Sequence, residues 1–162
     1  MIRALTVCVA LLLAHLPADL EAQLPAAAGS TGAALSPREP QMPQKILVHL
    51  THGPEHPTRA ALAFAVAKAA LDEGHSVSLF LAGDAGQLIR KGVIESLAGL
   101  GTGNLGELYR AIVAGGGRFY LSGGSSRARG VTEQDLAGKP AEFAGPPQLV
   151  RLSLEHERMF TY

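Results

Sequence analysis

The chain has 162 residues, with 14 basic and 14 acidic side chains and a formal net charge of zero. This length is enough for one domain with a true hydrophobic core. Charged residues make up only 17% of the chain, and they form no run of like charges. A nucleic-acid-binding surface and a polybasic membrane patch are therefore not expected.

Residues 1–28 have the pattern of a signal peptide. Arg3 precedes an apolar stretch over residues 4–16, which is short for a membrane span of about 20 residues. Cleavage is expected after Ala22 or after Ala28, the latter giving the better A-x-A site. The alternatives are an uncleaved anchor and a misassigned start codon. The pattern predicts an exported chain, periplasmic or secreted, with no stable membrane span.

The predicted signal peptide contains the only cysteine of the chain and is followed by a predicted linker. Cys8, the only cysteine, lies inside the signal peptide, so cleavage would leave no thiol for disulfides, thiolate catalysis or metal binding. Residues 29–44 are rich in proline and small residues without any periodicity, which predicts a disordered linker. The folded domain is expected to span residues 45–162.

The first half of this domain predicts a strand, a helix and a second strand. The apolar run 45–50 is typical of a strand buried on both faces of a parallel sheet. Pro57 suits the first turn of a helix over 57–73, which places His56 at its N-cap. Alanines cover most faces of this helix, and such a surface favours a homo-oligomer over a free monomer. The second strand is predicted over 75–82.

The second half continues the alternation. Asp84 is expected to cap a helix over 85–91, and Asn104 with Glu107 resembles a capping box that opens another helix. The remaining elements are a strand, a last helix and a terminal strand, predicted over 118–122, 146–157 and 158–162. This order predicts an α/β fold, a three-layer α/β/α sandwich with a mostly parallel sheet.

Two glycine-rich motifs are weighed against simpler interpretations. "GTGNLG" (101–106) matches G-x-G-x-x-G, but no strand precedes it and no acidic residue follows about 20 positions later, so a turn before a helix is favoured. "SGGSSRARG" (122–130) lacks the final glycine of the G-x-S-x-G nucleophile elbow. Its backbone N–H groups, beside Arg127 and Arg129, could instead hold a small anion.

Three histidines, His49, His52 and His56, are weak candidates for a metal site. Zinc needs three or four converging ligands, and these three are spread over a strand, a loop and a helix cap. The simpler interpretation is one core histidine, one loop histidine and one capping histidine. No metal and no other cofactor is predicted.

The domain resembles the DsrE/DsrF-like family, named for sulfur-relay proteins. The resemblance rests on "KILVHLTHGPEHPTRAALAFAVAKAALDEGHSVSLFLAGDA", "GTGNLGELYRAIVAGGGRFYLSGGSSRARGV", "AEFAGPPQLVRL" and the closing strand. It implies a DsrE-like three-layer fold and a homo-oligomer of three or six chains. Sulfur-carrying members have a cysteine just after the third strand, where this chain has Ser122, and Ser125 occupies a second such position. A persulfide requires a thiol, so serine cannot carry sulfur in this way.

The resemblance also implies a pocket at the carboxyl edge of the sheet. Its walls are expected to be the loop after the first strand and the turn after the third, with candidate residues His52, Gly53, Pro54, Ser122, Gly123, Ser125 and Arg127. The favoured function is an exported, non-catalytic, oligomeric accessory or binding protein related to sulfur metabolism, with a small anion or sulfur compound as ligand. The alternative is a sulfurtransferase-like or histidine-metal-dependent enzyme.

Overall fold

The computed structural model of the chain describes residues 42–162. The predicted signal peptide (1–28), with Cys8, and most of the predicted linker (29–44) lie outside the described residues. The elements in chain order are β1 (Lys45–Leu50), α1 (Pro57–Asp72), β2 (Ser76–Leu81), a 3₁₀ helix (Gly83–Ile89), α2 (Lys91–Ser96), β3 (Ala98–Gly99), β4 (Gly103–Asn104), α3 (Leu105–Ala114), β5 (Arg118–Ser122), α4 (Gly123–Ala128), α5 (Glu133–Leu136), β6 (Ala141–Ala144), α6 (Pro146–Glu155) and β7 (Arg158–Thr161).

Five of the strands form one sheet in the order β6-β5-β2-β1-β7. All of its neighbouring pairs are parallel, whereas β3 and β4 form a separate antiparallel hairpin. The chain steps from β1 through β2 and β5 to β6 in one direction and then returns past β1 to β7. Because such crossovers are right-handed, the first three connections lie on one face of the sheet and α6 lies on the other. The predicted α/β fold with a mostly parallel sheet is confirmed.

The two faces of the sheet carry cores of very different size. The larger core joins the sheet to α1, α3 and the short helices, and includes Phe64 and Phe119 with ring centroids 5.9 Å apart. The smaller core, under α6, is built on Leu47, Phe80 and Leu152. The second face is therefore covered by one helix of ten residues.

The alanines of α1 are buried against other elements of the same chain. The helix contacts β1, β2, α3 and the β3–β4 hairpin, and the residues of α1 that become buried are Ala60, Ala61, Ala63, Phe64, Ala67 and Ala70. Small side chains allow these neighbours to approach closely on several sides of the helix. The alanine content of α1 is thus explained by packing within one chain and needs no partner subunit.

Several local predictions are confirmed and two are wrong. His56 occupies the N-cap position of α1 as predicted, although its side chain makes no capping hydrogen bond. Oδ1 of Asn104 accepts a hydrogen bond from the backbone N–H of Glu107 at 3.1 Å. Asp84, by contrast, lies within the 3₁₀ helix, whose N-cap is Ala82, and its carboxylate accepts a hydrogen bond from Arg129 instead of capping the helix. Strand β6 has no counterpart in the sequence-based order.

Among residues 42–162, no helix is both long and apolar enough to cross a lipid bilayer.

Candidate functional site

The loops that carry the predicted site residues meet at one edge of the main sheet. Since its five strands are parallel, their carboxyl ends share this edge. Residues 52–54 follow β1, and residues 122–127 lie at the end of β5 and in α4. Ligands of parallel α/β sheets bind outside the carboxyl ends of the strands. The candidate site is therefore at this edge.

The loop after β1 packs directly against the turn after β2. A Cβ added to Gly53 would lie 2.3 Å from the carbonyl oxygen of Asp84, so the approach requires glycine. The N–H of Gly53 donates to Oε1 of Glu55 at 2.7 Å, and the N–H of His56 donates to the carbonyl oxygen of Gly53 at 3.1 Å. The latter bond closes a turn with Pro54 at its second position, which proline favours. The loop is thus short, ordered and closed over Asp84.

Ser125 connects the turn after β2 to the end of β5. Its hydroxyl oxygen accepts a hydrogen bond from the N–H of Gly83 at 3.1 Å, and its hydroxyl proton is donated to the carbonyl oxygen of Ser122 at 3.3 Å. A hydroxyl has one proton to donate, and here a backbone carbonyl takes it. Ser125 therefore holds two loops together and does not offer a free nucleophile.

Arg129 lies at the centre of the edge and is neutralised there. Its Nε donates to Oδ1 of Asp84 at 2.6 Å, and one terminal nitrogen donates to the carbonyl oxygen of Ser125 at 3.0 Å. Arg90 in turn donates to the carbonyl oxygen of Arg129 at 2.6 Å. These bonds join the 3₁₀ helix to α4, so Arg129 positions the loops and its charge is largely matched by Asp84.

His52 has a polar partner at each of its ring nitrogens. A terminal nitrogen of Arg59 lies 3.0 Å from Nε2 of His52. The other ring nitrogen, Nδ1, is 3.4 Å from the hydroxyl of Thr51, which donates its own proton to the carbonyl oxygen of Tyr162 at 3.1 Å. The ring is thus held between Arg59 and Thr51.

The three histidines do not form one cluster. The rings of His52 and His56 have centroids 5.0 Å apart. His49 is in β1 with its ring 6.0 Å from that of Phe80, on the α6 side of the sheet, and burial lowers the pKa of this imidazole below its usual value. Among residues 42–162, no three His, Cys, Asp or Glu side chains are grouped so that they could hold a metal ion.

Ser122 and Arg127 lie at the outer part of the edge, toward β6. Ser122 is the last residue of β5 and the N-cap of α4, and its half-buried hydroxyl makes no hydrogen bond to any residue from 42 to 162. The guanidinium of Arg127 stands 4.9 Å from the centre of the Phe143 ring. A Cβ added to Gly123 would lie 3.0 Å from a terminal nitrogen of Arg127, so this cation lies beside the first residue of α4.

The predicted residues thus form two groups separated by one turn. Strand β2 lies between β1 and β5, and its following turn, Gly83–Asp84, contacts the Gly53 loop on one side and Ser125 on the other. Sequence reasoning missed Asp84 and Arg59 as parts of this edge. The available signals were the position of Asp84 directly after a predicted strand and that of Arg59 in the first turn of a predicted helix.

A groove of about 210 Å³ lies at the opposite edge, between the starts of β5 and β6. Its walls include Arg118, Tyr120 and Glu142, and the ammonium group of Lys139 is held by the carbonyl oxygen of Asp135 at 2.5 Å. The amino ends of parallel strands seldom carry function. We therefore place the candidate site at the carboxyl edge.

The structure defines a parallel α/β domain whose loops converge at the carboxyl edge of the sheet. The chain belongs to the DsrE/DsrF-like family, whose model matches residues 44–162. The family predicted from the sequence is confirmed.

A solved structure supports the same fold. The chain is similar to the ychN protein from E. coli, with a TM-score of 0.60 and 18% sequence identity over 74% of this chain and 99% of that one. At this identity the likeness concerns the fold alone. Comparison with curated protein sequences gives no significant match.

Proposed function

We propose that this chain is an exported, non-catalytic member of the DsrE/DsrF-like family that binds a small anion, such as a sulfur oxyanion, at the carboxyl edge of its sheet. The observation that carries the proposal is the environment of Ser122. Its hydroxyl is half-buried at the end of β5 and has no hydrogen-bond partner among the described residues. Ser122 precedes α4, whose Arg127 lies beside Gly123. A hydroxyl donor and a guanidinium at the same edge of a sheet are both groups that bind anions.

The same position argues for binding and against sulfur transfer. A persulfide forms on a thiolate, and the sulfur-carrying cysteine implied by the family resemblance is replaced here by Ser122. Ser125, at the second such position, uses its hydroxyl to join Gly83 to Ser122. Since the chain's only cysteine is Cys8, inside the proposed signal peptide, the exported form would recognise a sulfur compound without carrying its sulfur covalently.

Titration calorimetry with thiosulfate as the probe tests the binding proposal. A charge-assisted hydrogen bond contributes about 1.5–3 kcal/mol, so Arg127→Ala should weaken binding roughly tenfold or more. Arg118→Ala is the matched control, because Arg118 is exposed at the opposite edge of the same strand. An unchanged affinity in Arg127→Ala, or an equal loss in Arg118→Ala, would contradict the proposed site.

The export proposal rests on Arg3, the apolar stretch 4–16 and the small-residue sites that end at Ala22 and Ala28. It places the protein in the periplasm or outside the cell. Sequencing the amino terminus of protein from its native host should give a start at residue 23 or 29. Intact Met1 on cytoplasmic protein would overturn it.

We also propose that the protein is a homo-oligomer of three or six chains. Support comes from the family resemblance and from the half-covered face of the sheet under α6. Light scattering at micromolar concentration should report such an assembly, and a monomer would contradict it.

A further inference from the structure

The face of the sheet that carries α6 is the least covered part of the described domain. Among residues 42–162, the buried apolar side chains on this face are those of Leu47, Phe80 and Leu152. Within the described part of the chain, the side chains of α6 that point away from the sheet remain exposed. This face is therefore where a further protein surface would bury the most apolar area.

The outer side of α6 carries an apolar stripe. Val150 is 57% exposed and Leu154 is 82% exposed, and residues four apart lie on one side of a helix. Met159, which is 43% exposed, pairs with Leu47 in the sheet register and so lies on the same face. An exposed patch of large apolar side chains marks an interaction surface.

The charges beside the stripe indicate what the surface fits. Arg151 and Glu155 are also four apart and are both exposed, so they form a charged row next to the Val150–Leu154 row. Gln148 holds the guanidinium of Arg151 on this surface, with its Oε1 accepting from Nε at 3.2 Å. A helix with a cation toward its start and an anion toward its end is complementary to a copy of itself that runs in the opposite direction.

We infer that α6 forms a two-fold interface in which it packs antiparallel against α6 of a second copy of this chain. In that arrangement Leu154 of each chain meets Val150 of the other, and Arg151 of each chain faces Glu155 of the other. Such an isologous contact uses the same patch on both chains and closes on itself. This inference rests on the proposed homo-oligomer and names one of its surfaces. Of the two proposed assemblies it fits the one with six chains, because a ring of three has no two-fold axis. It is independent of the anion site.

Analytical ultracentrifugation of the full chain tests the interface. Leu154→Asp puts a charge in the centre of the apolar stripe and should weaken association about tenfold or more. Leu100→Asp is the control, because Leu100 is 90% exposed on the β3–β4 hairpin, away from α6. Both residues are exposed, so neither change should unfold the domain. Equal effects of the two substitutions, or an assembly unchanged by Leu154→Asp, would overturn the inference.

Charge reversal tests the antiparallel direction. Arg151→Glu alone and Glu155→Arg alone each bring like charges together across the interface and should weaken association, whereas the double variant should restore it. Failure of the double variant to restore association would overturn the antiparallel pairing, and so would a wild-type chain that remains monomeric or forms an isolated trimer. Thiosulfate binding should be unchanged in all of these variants, which separates a failure of the interface from a failure of the anion site.

Discussion

The hydroxyl of Ser125 accepts a hydrogen bond from the backbone N–H of Gly83 at 3.1 Å, although the two residues are 42 positions apart in the chain. The same hydroxyl donates to the carbonyl oxygen of Ser122. One small side chain therefore joins the ends of β2 and β5, which are neighbours in the sheet. It fixes the floor of the candidate site.

Replacing Ser125 with alanine should lower the free energy of unfolding by about 1 kcal/mol, because the N–H of Gly83 loses its protein partner in a half-buried place. Urea denaturation of the wild type and variant measures this difference. Ser153→Ala is the control, since that hydroxyl bonds only within exposed α6. Equal stability of Ser125→Ala and the wild type would mean that water replaces the hydroxyl without loss.

The 3₁₀ helix and α4 approach each other closely at Gly86 and Ser126, and this contact predicts a second effect on stability. A Cβ added to Gly86 would lie 2.5 Å from Oγ of Ser126, so Gly86→Ala should destabilise the chain by about 1–3 kcal/mol. Oγ of Ser126 is fully buried without a hydrogen-bond partner among the described residues. Ser126→Ala should therefore be neutral or stabilising, and it should recover much of the loss when combined with Gly86→Ala.

The cycle of these two single variants and their double variant is measured by thermal and urea unfolding. With Oγ removed, the nearest atoms to the new Cβ are about 3.4 Å away, which is tolerable contact. Additive effects in the double variant would contradict a direct clash between the two positions.

The parts of the fold that the sequence predicts well are those with long, uniform signals. Strand β1 is a mostly apolar run. Helix α1 begins at a proline. Both signals are local in the sequence. Strand β6 is missed because it has only four residues, one of them charged, and follows a turn that ends in Pro140. Since β6 sets the direction of the third crossover, the unequal covering of the two faces could not be predicted either.

The candidate site was predicted only at the level of loops. The end of a strand can be found from sequence, and so the edge that holds His52 and Ser122 was identifiable. The pairing of Asp84 with Arg129 joins residues 45 positions apart, and it depends on the register of β2 against β5. No spacing in the chain reveals such a contact, so Asp84 was interpreted as a local helix cap.

His49 should make stability depend on pH. Burial lowers the pKa of its imidazole from 6.5 in the folded chain, so between the two pKa values the unfolded chain binds more protons. The free energy of unfolding should therefore be constant above pH about 7.5 and fall as the pH decreases through 6.5 toward the folded pKa. Urea midpoints between pH 8 and pH 5 should fall more steeply for the wild type than for His49→Gln. Parallel profiles would show that another group causes the decline.

Ser122→Cys should give position 122 a thiol that can carry sulfur, which serine cannot do. The thiolate attacks the outer sulfur of thiosulfate, the sulfur–sulfur bond of thiosulfate breaks, and sulfite leaves with the bonding electron pair while a cysteine persulfide forms. Arg127 adds positive charge at this edge of the sheet, which should favour the thiolate. The variant is made in a Cys8→Ser background so that the new thiol is the only one. Intact-mass analysis after removal of the donor should show a gain of one sulfur that a reductant reverses.

The control for this gain is Ser153→Cys in the same background, because Ser153 is exposed on α6, away from the carboxyl edge. A thiol at position 153 lies away from Arg127 at the carboxyl edge. Less of it should therefore be in the thiolate form, and it should take up sulfur more slowly. Equal uptake at the two positions would show only the ordinary reactivity of an exposed thiol. Uptake by neither would mean that the edge of this sheet does not admit thiosulfate, and it would count against the anion site as well. Faster uptake at position 122 would show that Ser122 blocks sulfur-transfer chemistry in a site that otherwise supports it.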